Sequence, residues 1–223
     1  MSVRSIAAAT MAMAVAGSAA AQPPATSFTL VDRTYSVSAP QGLCPPAGEN
    51  AFAEFMKTAL SKQAVVGAVY FPCKIGDPPD SVAFEVVGAP RATLSIALPP
   101  RPQMIAQMKA SIADGSLAAQ IDEAAPMASA QKNLQDATGI AVKVSGDPKF
   151  VETDQNAAYL VGVIGVQMPG STGQFLMVGA MTEVKGKLIG WYIYSPDTST
   201  ARAGVLLRRL KTDVAGFVRQ NEG

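Results

Sequence analysis

The chain has no histidine, two cysteines and one tryptophan among its 223 residues, and only 16% of them are charged. Without histidine there is no Ser-His-Asp triad, no Cys-His pair and no histidine-ligated metal centre. Two cysteines cannot build a four-cysteine zinc site. An excess of either charge is missing as well. Eighteen basic residues against seventeen acidic ones leave a net charge of +1, without the basic surplus of a nucleic-acid binder. Beyond the first residues no apolar run reaches the roughly 20 residues a membrane-spanning helix takes. Gly-x-Gly-x-x-Gly, P-loop and Gly-x-Ser-x-Gly patterns are lacking, so no cofactor is expected. What is abundant is apolar substance: 48% of the residues are hydrophobic, which argues for a packed core rather than a disordered chain.

Residues 1–21 read as a secretory signal peptide. Arg4 gives the positive start, Ile6 to Ala16 a small and apolar stretch, and Ala19-Ala20-Ala21 the small-residue cleavage pattern. Cleavage after Ala21 predicts a mature chain that begins at Gln22 and a periplasmic or secreted location. Residues 22–27, with Pro23-Pro24, are expected to form a flexible tail, and residues 28–223 one α+β domain.

Export gives the cysteines a meaning. An oxidising compartment and an even count predict a Cys44–Cys73 disulfide. A loop of that size corresponds to about 3.6 kcal/mol of chain-entropy stabilisation. A redox or nucleophilic thiol has no support, since there is no Cys-x-x-Cys and no histidine to lower a thiol pKa.

Hydrophobic periodicity lays out the elements. Phe28, Leu30, Tyr35 and Val37 mark two short strands around Asp32-Arg33-Thr34. Phe52, Phe55, Met56 and Leu60 share one helical face behind a possible Asn50 cap, and Ala64 to Phe71 is a strand. Val82 to Val87 and Ala92 to Leu98 are expected as strands. Met104, Ile105, Met108 and Ile112 mark a helix, and Leu117 to Ala137 another with Pro126 as a kink or boundary. Ile140, Val142 and Val144 alternate as in a strand. Ala157 to Met168, Gln174 to Val184 and Leu188 to Tyr194 form an antiparallel meander. A closing helix then runs to about Gln220, with Leu206, Leu210, Val214 and Phe217 in one stripe.

The meander constrains the architecture. Ile189, Trp191 and Ile193 point one way, Leu188, Tyr192 and Tyr194 the other, and the two preceding strands are apolar on both faces too. A sheet wet on one side would alternate with polar residues. The expectation is a three-layer α/β/α sandwich with a mainly antiparallel sheet, a C-terminal meander and a long last helix.

Two stretches carry a family resemblance. Val184 to Tyr194, turning at Lys185-Gly186-Lys187 and followed by the helix to Gln220, resembles the closing meander and helix of the PsbP-like family. Tyr35 to Gly42, ending in Pro40-Gln41-Gly42, resembles the short strand and turn near the start of such a domain. That family includes the extrinsic photosystem II protein, a Ran-binding nuclear-transport relative and many exported bacterial proteins. The resemblance implies an α/β/α sandwich with a binding or assembly role, and it supplies no catalytic motif.

Candidate chemistry is sparse. Ser129 and Lys132 match Ser-x-x-Lys, the nucleophile-base spacing of penicillin-binding enzymes, but Ser-Asp-Asn and Lys-Thr-Gly are missing. Carboxylates pair at Asp77 and Asp80, Asp122 and Glu123, and Glu152 and Asp154, none of them in a specific motif; solvated loops are expected there. Gly162, Gly165, Gly179 and Gly190 lie inside strand patterns, where close packing of a helix on the sheet is the expected reason. Arg202, Arg208, Arg209 and Lys211 are expected on the solvated face of the last helix. No catalytic, cofactor or metal residue is assigned. The expected function is a non-catalytic exported binding or assembly module for an unknown protein or small-molecule partner. The alternative is a periplasmic hydrolase using a Ser-Lys pair or a carboxylate pair; a polar convergent pocket would favour it, and an apolar groove beside the sheet would favour the binding module.

Overall fold

The computed structural model describes residues 25–46, 51–74, 82–116 and 124–222. The expected signal peptide, the expected Asn50 cap, Asp77, Asp80, Asp122 and Glu123 lie outside them.

Among the described residues ten strands and four α-helices follow in order. A hairpin of β1 (Ala25–Leu30) and β2 (Arg33–Ser38) comes first, then β3 (Leu43–Cys44), helix α1 (Ala51–Leu60) and β4 (Ala64–Pro72). Strand β5 (Phe84–Pro90) precedes α2 (Arg101–Ala113) and α3 (Ala124–Thr138). Strands β6 (Lys143–Gly146), β7 (Lys149–Thr153), β8 (Ala158–Met168), β9 (Ser171–Val184) and β10 (Lys187–Ser195) lead into α4 (Thr200–Glu222). Strand β1 starts at Ala25, inside the stretch expected to be a tail, because its residues pair with β2 from Ala25↔Ser38 to Leu30↔Arg33.

Strands β3 to β10 form one sheet in the order β3-β4-β5-β10-β9-β8-β6, with β7 also paired to β8. Every pairing in it is antiparallel. The meander is β8-β9-β10, with turns at Pro169-Gly170 and Lys185-Gly186. At the second turn both residues have positive φ, 52° and 78°, the backbone a two-residue hairpin favours.

Two sequence expectations differ. Ala92 to Leu98 is not a strand: β5 ends at Pro90 and a 3-10 turn over Arg91–Thr93 follows, with Thr93 Oγ1 donating to Pro90 O at 2.9 Å. Prolines flank the segment, and only Thr93 and Ile96 in it are β-branched, so little favours extension. Strand β7 was not foreseen, since its exposed Lys149 and Val151 and its bulge between Phe150 and Glu152 blur the alternation.

The sheet is covered on both faces, unequally. On one face Tyr159, Val178, Ala180, Trp191 and Ile193 meet the whole α4 stripe of Leu206, Leu210, Val214 and Phe217, all buried. Burial of each such side chain stabilises by about 1.5–3 kcal/mol, which is why the longest helix docks here. Ser199 Oγ accepts from Arg202 N at 3.3 Å and starts that helix. The other face carries Leu160, Ile164 and Met177 as its buried cluster, with Tyr192 and Tyr194 only partly covered. Helices α1 and α3 pack on each other and against β4 and β6.

Cys44 and Cys73 are bonded, with Cα atoms 5.0 Å apart. The antiparallel pairing of Leu43 with Pro72 and Cys44 with Phe71 brings them together at the sheet edge.

Candidate functional site

Strand alternation sends Phe84, Phe175 and Tyr194 to the less covered face, opposite to Glu85, Leu176 and Ile193. Phe84 stacks on Tyr194 with ring centroids 4.6 Å apart, and Phe175 meets Phe84 edge-on at 6.5 Å. Above this aromatic floor stand Leu60 of α1 and Ala130 and Leu134 of α3. They do not reach it everywhere. A cavity of about 390 Å³ remains between the helices and the sheet, with Val144 and Ile164 on its far wall. Among the described lining residues none is charged, and Ser171 and Tyr194 bring the side-chain hydroxyls. Burial raises the Tyr194 phenol pKa, so the wall stays neutral.

Two glycines shape the sheet beside this face. A Cβ at Gly179 or at Gly190 would lie 2.7 Å from the Tyr192 ring. These glycines therefore make room for a ring lying flat across its own sheet, not for a helix. Gly162 and Gly165 likewise admit Pro148 and Ser145 from the neighbouring chain segment. The expectation of helix-on-sheet packing at these positions is corrected accordingly.

The opposite face holds a buried polar cluster. Glu85, alone among apolar neighbours on β5, is 0% exposed. Its Oε2 accepts a hydrogen bond from Trp191 Nε1 at 2.8 Å, and its Oε1 lies 3.2 Å from Arg209 Nε. Arg209 also sits 3.7 Å from Asp213 Oδ2, one helical turn on, and donates from Nη2 to Gln41 O at 2.9 Å. Burial pushes the Glu85 carboxyl up to about 7, against the opposing pull of Arg209. Burial likewise pushes Asp213 up to about 6. A second pocket, about 560 Å³, opens between α4 and the link from β2 to β3, with Asp213, Trp191, Phe217 and Gln41 in its wall.

The residues singled out in the sequence lie elsewhere. Ser129 and Lys132 are both exposed on α3, and Lys132 Nζ faces Asp136 at 3.5 Å. That lysine is solvated and its ion-pair partner is a carboxylate. Asp154 accepts from the backbone N–H groups of Asn156 and Ala157 and from Tyr159 OH, which makes it a turn residue. Glu152 pairs with Lys211 at 2.8 Å. Arg202 pairs with Asp197 at 3.3 Å, Arg208 is exposed, and Arg209 is largely covered in the cluster, so the four basic residues are not one solvated face. The signal that could have exposed the cluster is a lone glutamate in an apolar strand together with an Arg-x-x-x-Asp pair beside the apolar stripe of the last helix.

Among the described residues no group of three or more histidine, cysteine, aspartate or glutamate side chains could hold a metal ion, and no helix is long and apolar enough to cross a membrane. No protein-family model matches the chain, and no curated protein matches it. Among solved structures the chain is similar to cyanobacterial PsbP (CyanoP) from Synechocystis sp. PCC 6803, at 12% identity and a TM-score of 0.39, over 92% of this chain and 95% of that one.

Proposed function

We propose that the protein is an exported, periplasmic binding module without catalytic activity, and that the cavity between α1, α3 and the sheet holds a small, uncharged, apolar molecule. The observation that carries this reading is the cavity itself. Its volume of about 390 Å³ is in the range of small-molecule sites, and aromatic and aliphatic side chains wall it. An uncharged ligand follows from the wall: a charge placed there would be desolvated with no counter-ion. Export is supported by the signal-like residues 1–21 and by the Cys44–Cys73 bond, which belongs to an oxidising compartment. Sequencing the secreted protein is expected to find Gln22 first; retention of Met1 would contradict export with cleavage.

The hydrolase alternative finds one supporting feature, the raised carboxyls of Glu85 and Asp213. Glu85, however, is fully enclosed behind Trp191 and Arg209, where no substrate reaches it.

The test of ligand binding is a fluorescence titration with N-phenyl-1-naphthylamine, an uncharged apolar probe. Saturable binding at one site is expected, weakened at least tenfold by Ala130→Phe, which fills the cavity from a partly exposed helix position. Equal binding by both folded proteins would overturn the proposal.

A further inference from the structure

The polar cluster under α4 has an incomplete charge count. Two carboxylates, Glu85 and Asp213, share the single guanidinium of Arg209. Trp191 Nε1 adds a neutral donor to Glu85 but none to Asp213. Asp213 Oδ2 is buried and accepts no hydrogen bond; its ion pair with Arg209 at 3.7 Å is too long for one. A buried carboxylate oxygen without a donor is costly, so the cluster is short of one cationic partner.

The place where that donor would arrive is open. Asp213 is both a member of the cluster and part of the wall of the 560 Å³ pocket. Beside it in the wall are Trp191 and Phe217, in edge-to-face contact at 6.0 Å, while Ser38, Gln41 and Gln220 supply polar groups. The charged groups around Asp213 are Glu85 and Arg209 in the cluster and Arg219, exposed on the same helix, at the pocket.

We propose that this pocket is a binding site for a small organic ammonium ion with an apolar body, and that Asp213 is its counter-ion. The ammonium pairs with the Asp213 carboxyl from the side that faces the pocket and balances the second carboxylate. The apolar body lies against Trp191 and Phe217, where an aromatic face adds an attraction for the cation. The site is on the opposite sheet face from the apolar cavity and stands or falls independently of it.

Trp191 is the only tryptophan of the chain and lies in the wall of this pocket, so all tryptophan fluorescence comes from beside it. The experiment titrates the protein with phenethylamine and, separately, with its uncharged analogue 2-phenylethanol, at pH 8, where Asp213 is ionised. Phenethylamine is expected to change the Trp191 emission saturably, with 2-phenylethanol at least tenfold weaker. Asp213→Asn is expected to remove that preference for the amine. The comparison of the two ligands on the unaltered chain decides the matter even if the variant does not fold. An equal response to both compounds would make the pocket an ordinary apolar cleft and overturn the proposal. No response to either would overturn it too, leaving a proton as the cation the cluster takes up.

Discussion

Glu85 shows how one residue makes the stability of this fold depend on pH in an unusual direction. Its folded-state carboxyl is raised from 4.5 to about 7 by burial, and that of Asp213 from 3.8 to about 6. The folded protein therefore binds more protons than the unfolded chain between about pH 4 and pH 7. Stability contributed by protonation is present in mild acid and is lost as pH rises through those values. Thermal unfolding is expected to give a higher Tm at pH 5 than at pH 8. Glu85→Gln keeps an acceptor for Trp191 Nε1, and it is expected to raise Tm at pH 8 and flatten the profile. A Tm that increases steadily from pH 5 to pH 8 would contradict the buried-cluster account. Val31 is a second residue-scale case. It is 70% exposed and has φ of 57° in the turn between β1 and β2, a conformation a β-branched side chain disfavours. Val31→Asn is expected to stabilise by about 1 kcal/mol in denaturant melts, since relief of left-handed strain is worth about that much.

Among the elements, α4 and the meander were the most legible in the sequence. Their periodicities are long, and each apolar position is answered by a partner: the four stripe residues of α4 are all buried against the sheet. The middle of the chain was not, because β6 and β7 are short and half exposed and owe their extension to pairing with opposite ends of β8. The end of α4 shows another contact that sequence hides. Asn221 Oδ1 accepts from Ser36 N at 2.9 Å and its Nδ2 donates to Ser36 O at 2.8 Å, so a side-chain amide takes the place of a strand neighbour for β2. This ties the first hairpin to the last helix, 185 residues apart. Asn221→Ala leaves both groups of Ser36 without these partners and is expected to cost about 2 kcal/mol in a denaturant melt. A loss under 0.5 kcal/mol, roughly the noise of a surface substitution, would show the contact to be dispensable.

At the scale of the molecule, the α+β architecture with its mainly antiparallel sheet follows from strands that are apolar on both faces, as Trp191 and Tyr192 illustrate. What the sequence could not disclose is that the two covers differ. Alternation says that Tyr192 and Tyr194 face away from Trp191, but not that α1 and α3 stop short of them. A gap between layers is set by the reach of side chains from three separate elements, Leu60, Leu134 and Phe175 among them, and no local pattern records it. The Glu85–Arg209–Asp213 cluster is similarly non-local, joining positions far apart in the chain. The disulfide, in contrast, was readable from the even cysteine count together with the expectation of export. Reducing it is expected to lower the unfolding free energy by about 3.6 kcal/mol on the chain-entropy estimate, as denaturant melts with and without reductant would show.

The central claim is that the face of the sheet away from α4 keeps an apolar cavity for a ligand. Methyl chemical-shift mapping with N-phenyl-1-naphthylamine tests it most directly, because the two faces carry different methyl groups. The account predicts shifts concentrated at Leu60, Leu134, Val144 and Ile164, with Leu206, Leu210 and Val214 unmoved. Shifts centred on the α4 face, or no shifts at saturating probe, would contradict it.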